Sequence, residues 1–251
     1  MKKFFVIMMT AAILAVFGRV GVQAQSVDDI VQNYLKNMGG ADKIEAIKTM
    51  KAEGKIMAQG MEMQIIIWAK KPNKLRFEVS MGDQKMITVL DGETAWMINP
   101  IAGSTEPKEI PKEQTQNFSN AADMVNDPFI DYKKKGHKIE LLGKEEMEGT
   151  GVFKLKLTRK EGTEIIIFLD AETYIPLKSS MKQKTNDQEY NIDVVFGDYK
   201  PVTGVMMAHS METFINGQST ASMLFDSFEA NIKVEDDFFK MPKVEKKEPD
   251  K

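Results

Sequence analysis

The chain has 251 residues, 42% of them hydrophobic and 28% charged, with no cysteine and a formal net charge of −3. That length makes one or two domains and suffices to bury a core without disulfides. Slight acidity, and no basic patch interleaved with aromatics, gives no case for nucleic acid or an anionic membrane surface as a partner. With no cysteine there is no thiol to carry a lipid at a cleavage site.

Lys2 and Lys3 precede an apolar run, Phe4–Phe17, too short and wrongly flanked for a membrane anchor. Val22-Gln23-Ala24 places small residues where a signal peptidase cuts. Residues 1–24 are therefore predicted to be an export signal cleaved near Ala24, although Arg19 leaves the cut site open. Residues 25–242 then form a single domain that acts outside the cytoplasm. Residues 243–251 form a charged, frayed tail.

Ser26, with Asp29 three residues on, predicts a capping box. Val27, Ile30, Val31, Tyr34, Leu35 and Met38 follow at helical spacing up to Gly39-Gly40, a pair suited to a helix end. A second short helix is expected over Ala41–Ile47. Met50–Gln59 and Met61–Ala69 predict a hairpin through Gly60. The second strand of that hairpin is apolar on both sides in its C-terminal half, which implies cover on both faces or a face opening on something apolar. Leu75–Met81 alternates Leu75, Phe77, Val79 and Met81 against Lys74, Arg76, Glu78 and Ser80. Lys85–Leu90 and Thr94–Asn99 follow through Gly82-Asp83 and Asp91-Gly92. Period-two alternation with such turns is an antiparallel meander.

Ile101–Pro111 reads as a loop, and Lys112–Met124 as a helix with Phe118, Ala121, Ala122 and Val125 on one side. Lys133-Lys134-Lys135 reads as a solvated loop. Strands are then predicted over Ile139–Gly143, Gly151–Arg159, Thr163–Asp170, Pro176–Lys184, Glu189–Tyr199, Val205–Ile215 and Thr220–Ala230. Asn216-Gly217 is the strongest hairpin signal in the chain. The pattern is mainly β (α+β), about eleven strands in one large antiparallel sheet, and a sheet that wide curls.

No Walker loop, dinucleotide fingerprint or calcium loop is present. His137 and His209, the only histidines, are expected on exposed loop and strand positions without an acid at ligand spacing. A triad of His209 with Ser210 or Asp226 has no motif around it. Glu145-Glu146 and Asp236-Asp237 read as solvated turn acids. No catalytic residue, metal site or cofactor is expected. Methionine stands out, with 19 in the chain and ten on predicted strands: Met57, Met61, Met63, Met81, Met86, Met97, Met206, Met207, Met211 and Met223. A flexible thioether fills cores, and it also suits a surface that must accept apolar ligands of varied shape. The candidates for the concave face are Met61, Met63, Ile65, Ile67, Leu75, Phe77, Val79, Met81, Phe153, Leu155, Leu157, Met211, Met223 and Phe225.

Trp68-Ala69-Lys70-Lys71-Pro72-Asn73, followed by Leu90-Asp91-Gly92-Glu93-Thr94-Ala95-Trp96-Met97-Ile98-Asn99-Pro100, resembles the strand and turn pattern of the LolA-like family of outer-membrane lipoprotein-sorting proteins. Asp170–Pro176, Asp198–Val205 and Asp236–Pro242 resemble further turns and the closing segment of that family. The resemblance implies an incomplete β-barrel whose concave face is closed by the N-terminal helices, with the mid-chain helix and loop as further cover of its mouth or a simple surface crossover. It also implies a periplasmic carrier that binds lipid or lipoprotein acyl chains and transfers them toward the outer membrane. Its partners would be an inner-membrane donor and an outer-membrane acceptor, and the carrier is expected to be a monomer. The family's cavity arginine, near its first strand, holds the helices shut; the matching region here has Lys51 and Lys55. Beyond the leader the arginines are Arg76 and Arg159. The alternative is a non-enzymatic scaffolding module of the same fold with a filled core, acting through protein contacts.

Overall fold

The computed structural model describes residues 25–112, 115, 123–185 and 188–243. The predicted leader (1–24), most of the predicted helix Lys112–Met124 and the tail beyond residue 243 lie outside them.

Two short helices open the described chain, α1 (Val27–Asn37) and α2 (Ala41–Ala46). The Ser26 hydroxyl accepts from the Asp29 amide at 3.1 Å, and the Asp29 carboxylate accepts from the Ser26 amide at 3.2 Å. Both orphan amides of the predicted capping box are thus satisfied. Gly39 ends α1 at φ +121, where a Cβ would lie 2.2 Å from the Gly204 carbonyl oxygen. Only glycine lets the helix end approach that backbone, and the Met206 amide then donates to the Met38 carbonyl at 2.9 Å.

Thirteen strands follow: β1 (Thr49–Ala58), β2 (Met61–Lys70), β3 (Lys74–Met81), β4 (Gln84–Asp91), β5 (Thr94–Asn99), β6 (Ser104–Ile110), β7 (Lys138–Met147), β8 (Thr150–Thr158), β9 (Glu164–Asp170), β10 (Pro176–Thr185), β11 (Gln188–Val202), β12 (Val205–Ile215) and β13 (Gln218–Ala230). They form one antiparallel sheet in the order β6-β5-β4-β3-β2-β1-β13-β12-β11-β10-β9-β8-β7. Among the described residues β6 and β7 are its edges, so the sheet is open. It is also strongly curved. Phe77 on β3 and Leu157 on β8 line one cavity, yet their strands lie eight steps apart, about 38 Å in a flat sheet at ~4.8 Å per strand. Only a curled sheet brings them together.

The expectation of about eleven strands is corrected to thirteen, and the predicted Ile101–Pro111 loop is corrected to a 3₁₀ turn (Pro100–Ala102) followed by β6. Pro107 and five charged or polar residues disguise β6, but an edge strand bonds on one side only and tolerates both. Its pairing with β5 runs from Ala95↔Ile110 to Asn99↔Ser104, with an irregularity at the proline end.

The concave face carries the main core, including Met50, Ala52, Ile65, Ala69, Leu75, Val79 and Leu90, all nearly inaccessible. The convex face carries a second, smaller core. One rung of register runs Trp68–Arg76–Val89–Trp96 across β2, β3, β4 and β5. The chain after β13 crosses this rung and ends in a 3₁₀ turn, Asp236–Phe239. Phe239 is fully buried there with Val89 and Trp96. The Trp96 indole donates to the Phe239 carbonyl at 2.9 Å, the Arg76 guanidinium to the Phe238 carbonyl at 3.0 Å, and the Lys70 ammonium to the Val234 carbonyl at 2.6 Å. This strap covers the second apolar face of β2. Asp236, expected to be solvated, also ion-pairs with Lys70 at 2.7 Å.

Candidate lipid-binding cavity

Alternation along each strand places every second side chain on the concave face. In the sheet centre those rows leave a gap, a cavity of about 530 Å³. Its walls are Ile67, Leu75 and Phe77 from β2 and β3, Leu157, Ile165 and Ile167 from β8 and β9, and Met181, Val194, Phe196, Met211, Met223 and Phe225 from β10 to β13. Tyr34 of α1 with Met38 just beyond it, Ile44 of α2 with Ile47 just beyond it, and the segment from Asp123 to Phe129 close one end. Seven methionines are among the lining residues.

Seven of the fourteen sequence candidates reach this cavity: Ile67, Leu75, Phe77, Leu157, Met211, Met223 and Phe225. Ile65, Val79, Phe153 and Leu155 lie in the solid core instead. They share the face but sit where other side chains fill the space, Phe153 against the Tyr174 ring at 5.5 Å. Met63 packs against the core margin, Met81 is half-buried at the end of β3, and Met61 stands 45% exposed by the hairpin turn. Parity chose the face for all fourteen; the position of the gap along each strand is a tertiary property. Met206 and Met207, among the strand methionines already singled out, line the cavity too, and so do Met38, Met124, Met181, Ile165, Ile167, Val194 and Phe196, which were not candidates. The alternation of Ile165 with Ile167 and of Val194 with Phe196 on their strands was the signal available for the last four.

Polar contacts gather at the closed end. The Tyr34 hydroxyl donates to the Asp127 carboxylate at 2.6 Å, and the Phe129 amide donates to the other oxygen at 2.8 Å. The Tyr34 and Phe129 rings lie 4.4 Å apart. Burial pushes the Asp127 carboxyl and the Tyr34 hydroxyl up from their ordinary values. Lys135, expected in a solvated run, donates its ammonium to the Asp127 carbonyl at 2.7 Å. Tyr132 and Lys133 tie the same segment to Asp28 of α1, at 2.6 and 2.7 Å.

Arg159, just beyond β8, ion-pairs with Asp123. Its side chain is buried, and its Nε has no partner among the described residues. Asp123 lines the cavity and keeps 26% of its side-chain surface accessible. Burial pushes its carboxyl up to about 7, against the pull of Arg159. An arginine therefore does pair with the segment that closes the cavity, from just beyond β8, far from the region where the family resemblance looked for one. In sequence it sits beside Lys160-Glu161-Gly162 and reads as a turn charge. Arg76 lies on the opposite face under the strap.

Both histidines depart from expectation. His209 is buried, its Nδ1 3.1 Å from the Met207 carbonyl and its ring edge-on to Phe228 at 4.8 Å. His137 is half-buried and accepts from the Lys160 amide at 3.2 Å. Among the described residues no group of three or more His, Asp or Glu side chains is placed to hold a metal ion, and no helix is long and apolar enough to cross a membrane.

Among the solved structures to which this one is similar are three that share its fold over most of the chain. One is a domain described as an outer membrane lipoprotein-sorting protein domain from Vibrio parahaemolyticus, with a TM-score of 0.56 at 13% identity, covering 84% of this chain and 94% of the other. A DUF1329 family protein from Desulfovibrio piger gives 0.57 at 14% identity, covering 85% and 97%. A LolA superfamily protein from Nitrosomonas europaea gives 0.55 at 10% identity, covering 84% and 97%. No curated protein matches the sequence. Residues 78–246 match a family model described as "Uncharacterized protein". The chain belongs to the family which that model describes, and its fold is LolA-like.

Proposed function

We propose that this protein is an exported, non-enzymatic carrier that takes lipid, or the acyl chains of lipoproteins, into its cavity and moves them through the periplasm toward the outer membrane. The observation that carries this reading is a cavity of about 530 Å³ walled almost wholly by apolar side chains on the inside of a curled sheet. Its size falls within the range of small-molecule sites. The signal-like N-terminus supports export. The similarity to a domain described by its outer membrane lipoprotein-sorting role supports the class of cargo.

The driving force is burial. Each methylene that leaves water for this cavity contributes ~0.8 kcal/mol, so one or two chains offset the cost of association. Flexible methionines let one wall fit chains of different shape. The sequence holds no nucleotide-binding motif, so release requires an acceptor protein or membrane that offers equal burial. A donor at the inner membrane and an acceptor at the outer membrane follow from that requirement.

The test is native extraction of the exported protein followed by mass spectrometry of bound material. Co-purified acyl lipid, chemically unaltered after hand-over to acceptor vesicles, is the expected result. A protein that emerges empty and takes up no acyl chain in vitro would move the assignment to a scaffold acting through protein contacts.

A further inference from the structure

We infer that Lys48 and Lys71 form an anion site outside the cavity, one that takes a phosphate group. Lys48 stands just before β1 and Lys71 just after β2, and the Lys71 amide donates to the Lys48 carbonyl at 2.9 Å. The Lys48 amide in turn donates to the Asn231 side-chain carbonyl at 2.8 Å, so the backbone that carries the pair is held from both sides. Both ammoniums converge on the last turn of α2. That of Lys48 donates to the Glu45 carbonyl at 2.8 Å; that of Lys71 donates to the same oxygen at 3.1 Å and to the Ile44 carbonyl at 3.4 Å. Two hydrogen bonds that end on one oxygen keep the two nitrogens at most about 6 Å apart.

These bonds leave the charge unanswered. One lysine is enough to serve the last carbonyls of a helix, yet two do so here, and neither forms an ion pair among the described residues. Their neighbours Lys51, Lys55 and Lys70 do, with Glu53, Glu62 and Asp236 at 2.5, 2.8 and 2.7 Å. Burial and then the charge of Lys48 lower the Lys71 ammonium from its ordinary value; Lys135 adds to them, while Glu45 and Asp127 oppose. A chain of formal net charge −3 thus carries a local excess of positive charge at this point. An ammonium has three donors. Lys48 spends one and Lys71 two on α2, which leaves three N–H groups for a ligand. Lys48 is exposed and Lys71 half-buried, and neither is among the residues that line the cavity, so an anion reaches them from solvent. Two fixed cations match a group with charge shared over adjacent oxygens, and a phosphate monoester carries nearly two charges at neutral pH. Because the backbone is already held, binding has little left to order. The site is separate from the cavity and stands or falls independently of the carrier reading.

The experiment uses the protein without its leader, labelled with nitrogen-15 and titrated with inorganic phosphate at pH 7.5, ionic strength being held constant with sodium chloride. Saturable shifts of the amide resonances of residues 44–48 and 71 are expected, half complete at about 1–10 mM. Lys48→Gln combined with Lys71→Gln should weaken them at least tenfold with circular dichroism unchanged. Should that double variant unfold, Lys48→Gln alone, at the exposed position, carries the comparison and should weaken them several-fold. Sedimentation with phosphatidylcholine vesicles containing phosphatidic acid then names the source of the phosphate. Vesicle binding that the variant loses assigns a lipid headgroup; phosphate-induced shifts without vesicle binding assign a soluble phosphate. If phosphate moves these resonances no more than chloride does and the vesicles bind nothing, or if the variant binds either one as well as the parent, the inference is overturned.

Discussion

Gly54 shows how much one residue decides in this fold. It sits at the register shift between β1 and β13, and a Cβ there would lie 2.1 Å from the Leu224 carbonyl oxygen and 2.8 Å from the Phe225 Cα. Those are backbone atoms and cannot swing away. Gly54→Ala should therefore cost about 1–3 kcal/mol, as overpacking usually does, seen as a lower denaturation midpoint; an unchanged midpoint would contradict the close approach. Asp123 sets a pH dependence. Its carboxyl is raised by burial from 3.8 to about 7, so the folded state holds this proton more tightly than the unfolded chain does. That stability is fully present below about pH 4 and is lost as pH rises through about 7. Hydrogen exchange in residues 123–129 should accordingly be faster at pH 8 than at pH 5.5 after correction for intrinsic rates, and Asp123→Asn should flatten the profile. A segment that tightens with rising pH would reverse the assignment. Neither residue is legible in sequence, since a glycine inside a strand and an aspartate before a loop are both common.

At the scale of elements, the convex strap is the feature with the clearest energetic consequence. Phe239 is fully buried on Val89 and Trp96, and Arg76 lies 4.4 Å over the Phe238 ring. Truncating a buried aromatic costs about 3–5 kcal/mol. Phe239→Ala should lower stability by that order and raise the solvent exposure of Trp68 and Trp96, read by fluorescence quenching. If quenching is unchanged, the strap does not seal that face. Glu78 beneath it is pushed up by burial, but hydrogen bonds from Lys85 and Arg76 outweigh burial and hold it below its usual value. Its contribution is therefore present at neutral pH and fades as pH falls below the ordinary glutamate value. The apolar double face of β2 was legible as a demand either for cover on both sides or for a face opening on something apolar. The strap that supplies the cover was legible only as a family-like closing segment. β6 was missed for the reason that makes it an edge: charge and proline replace the alternation by which strands are recognised.

For the molecule as a whole, curvature is what turns an apolar sheet face into a cavity. Met211→Glu, facing that cavity beside Met223, should weaken uptake of a neutral chain at least tenfold while the fold is retained, as judged by circular dichroism. Full uptake by this variant would place the ligand elsewhere. The carrier reading also requires that saturating decanol raise the melting temperature, because a ligand that binds only the folded state stabilises it; no shift at a hundredfold excess over its dissociation constant would contradict it. Sequence by itself determined the strands other than β6, their inward face, the capped first helix and the family likeness, because period-two alternation, turn residues and caps act within a few neighbours. Only tertiary structure decided which inward residues border empty space and which are packed solid. It alone buried His209, brought Arg159 to Asp123 across 36 residues, and laid the last turn over Trp96 across 143. Those outcomes depend on how far a thirteen-stranded sheet curls and on what closes its end, and no local pattern encodes the distance between strands eight places apart.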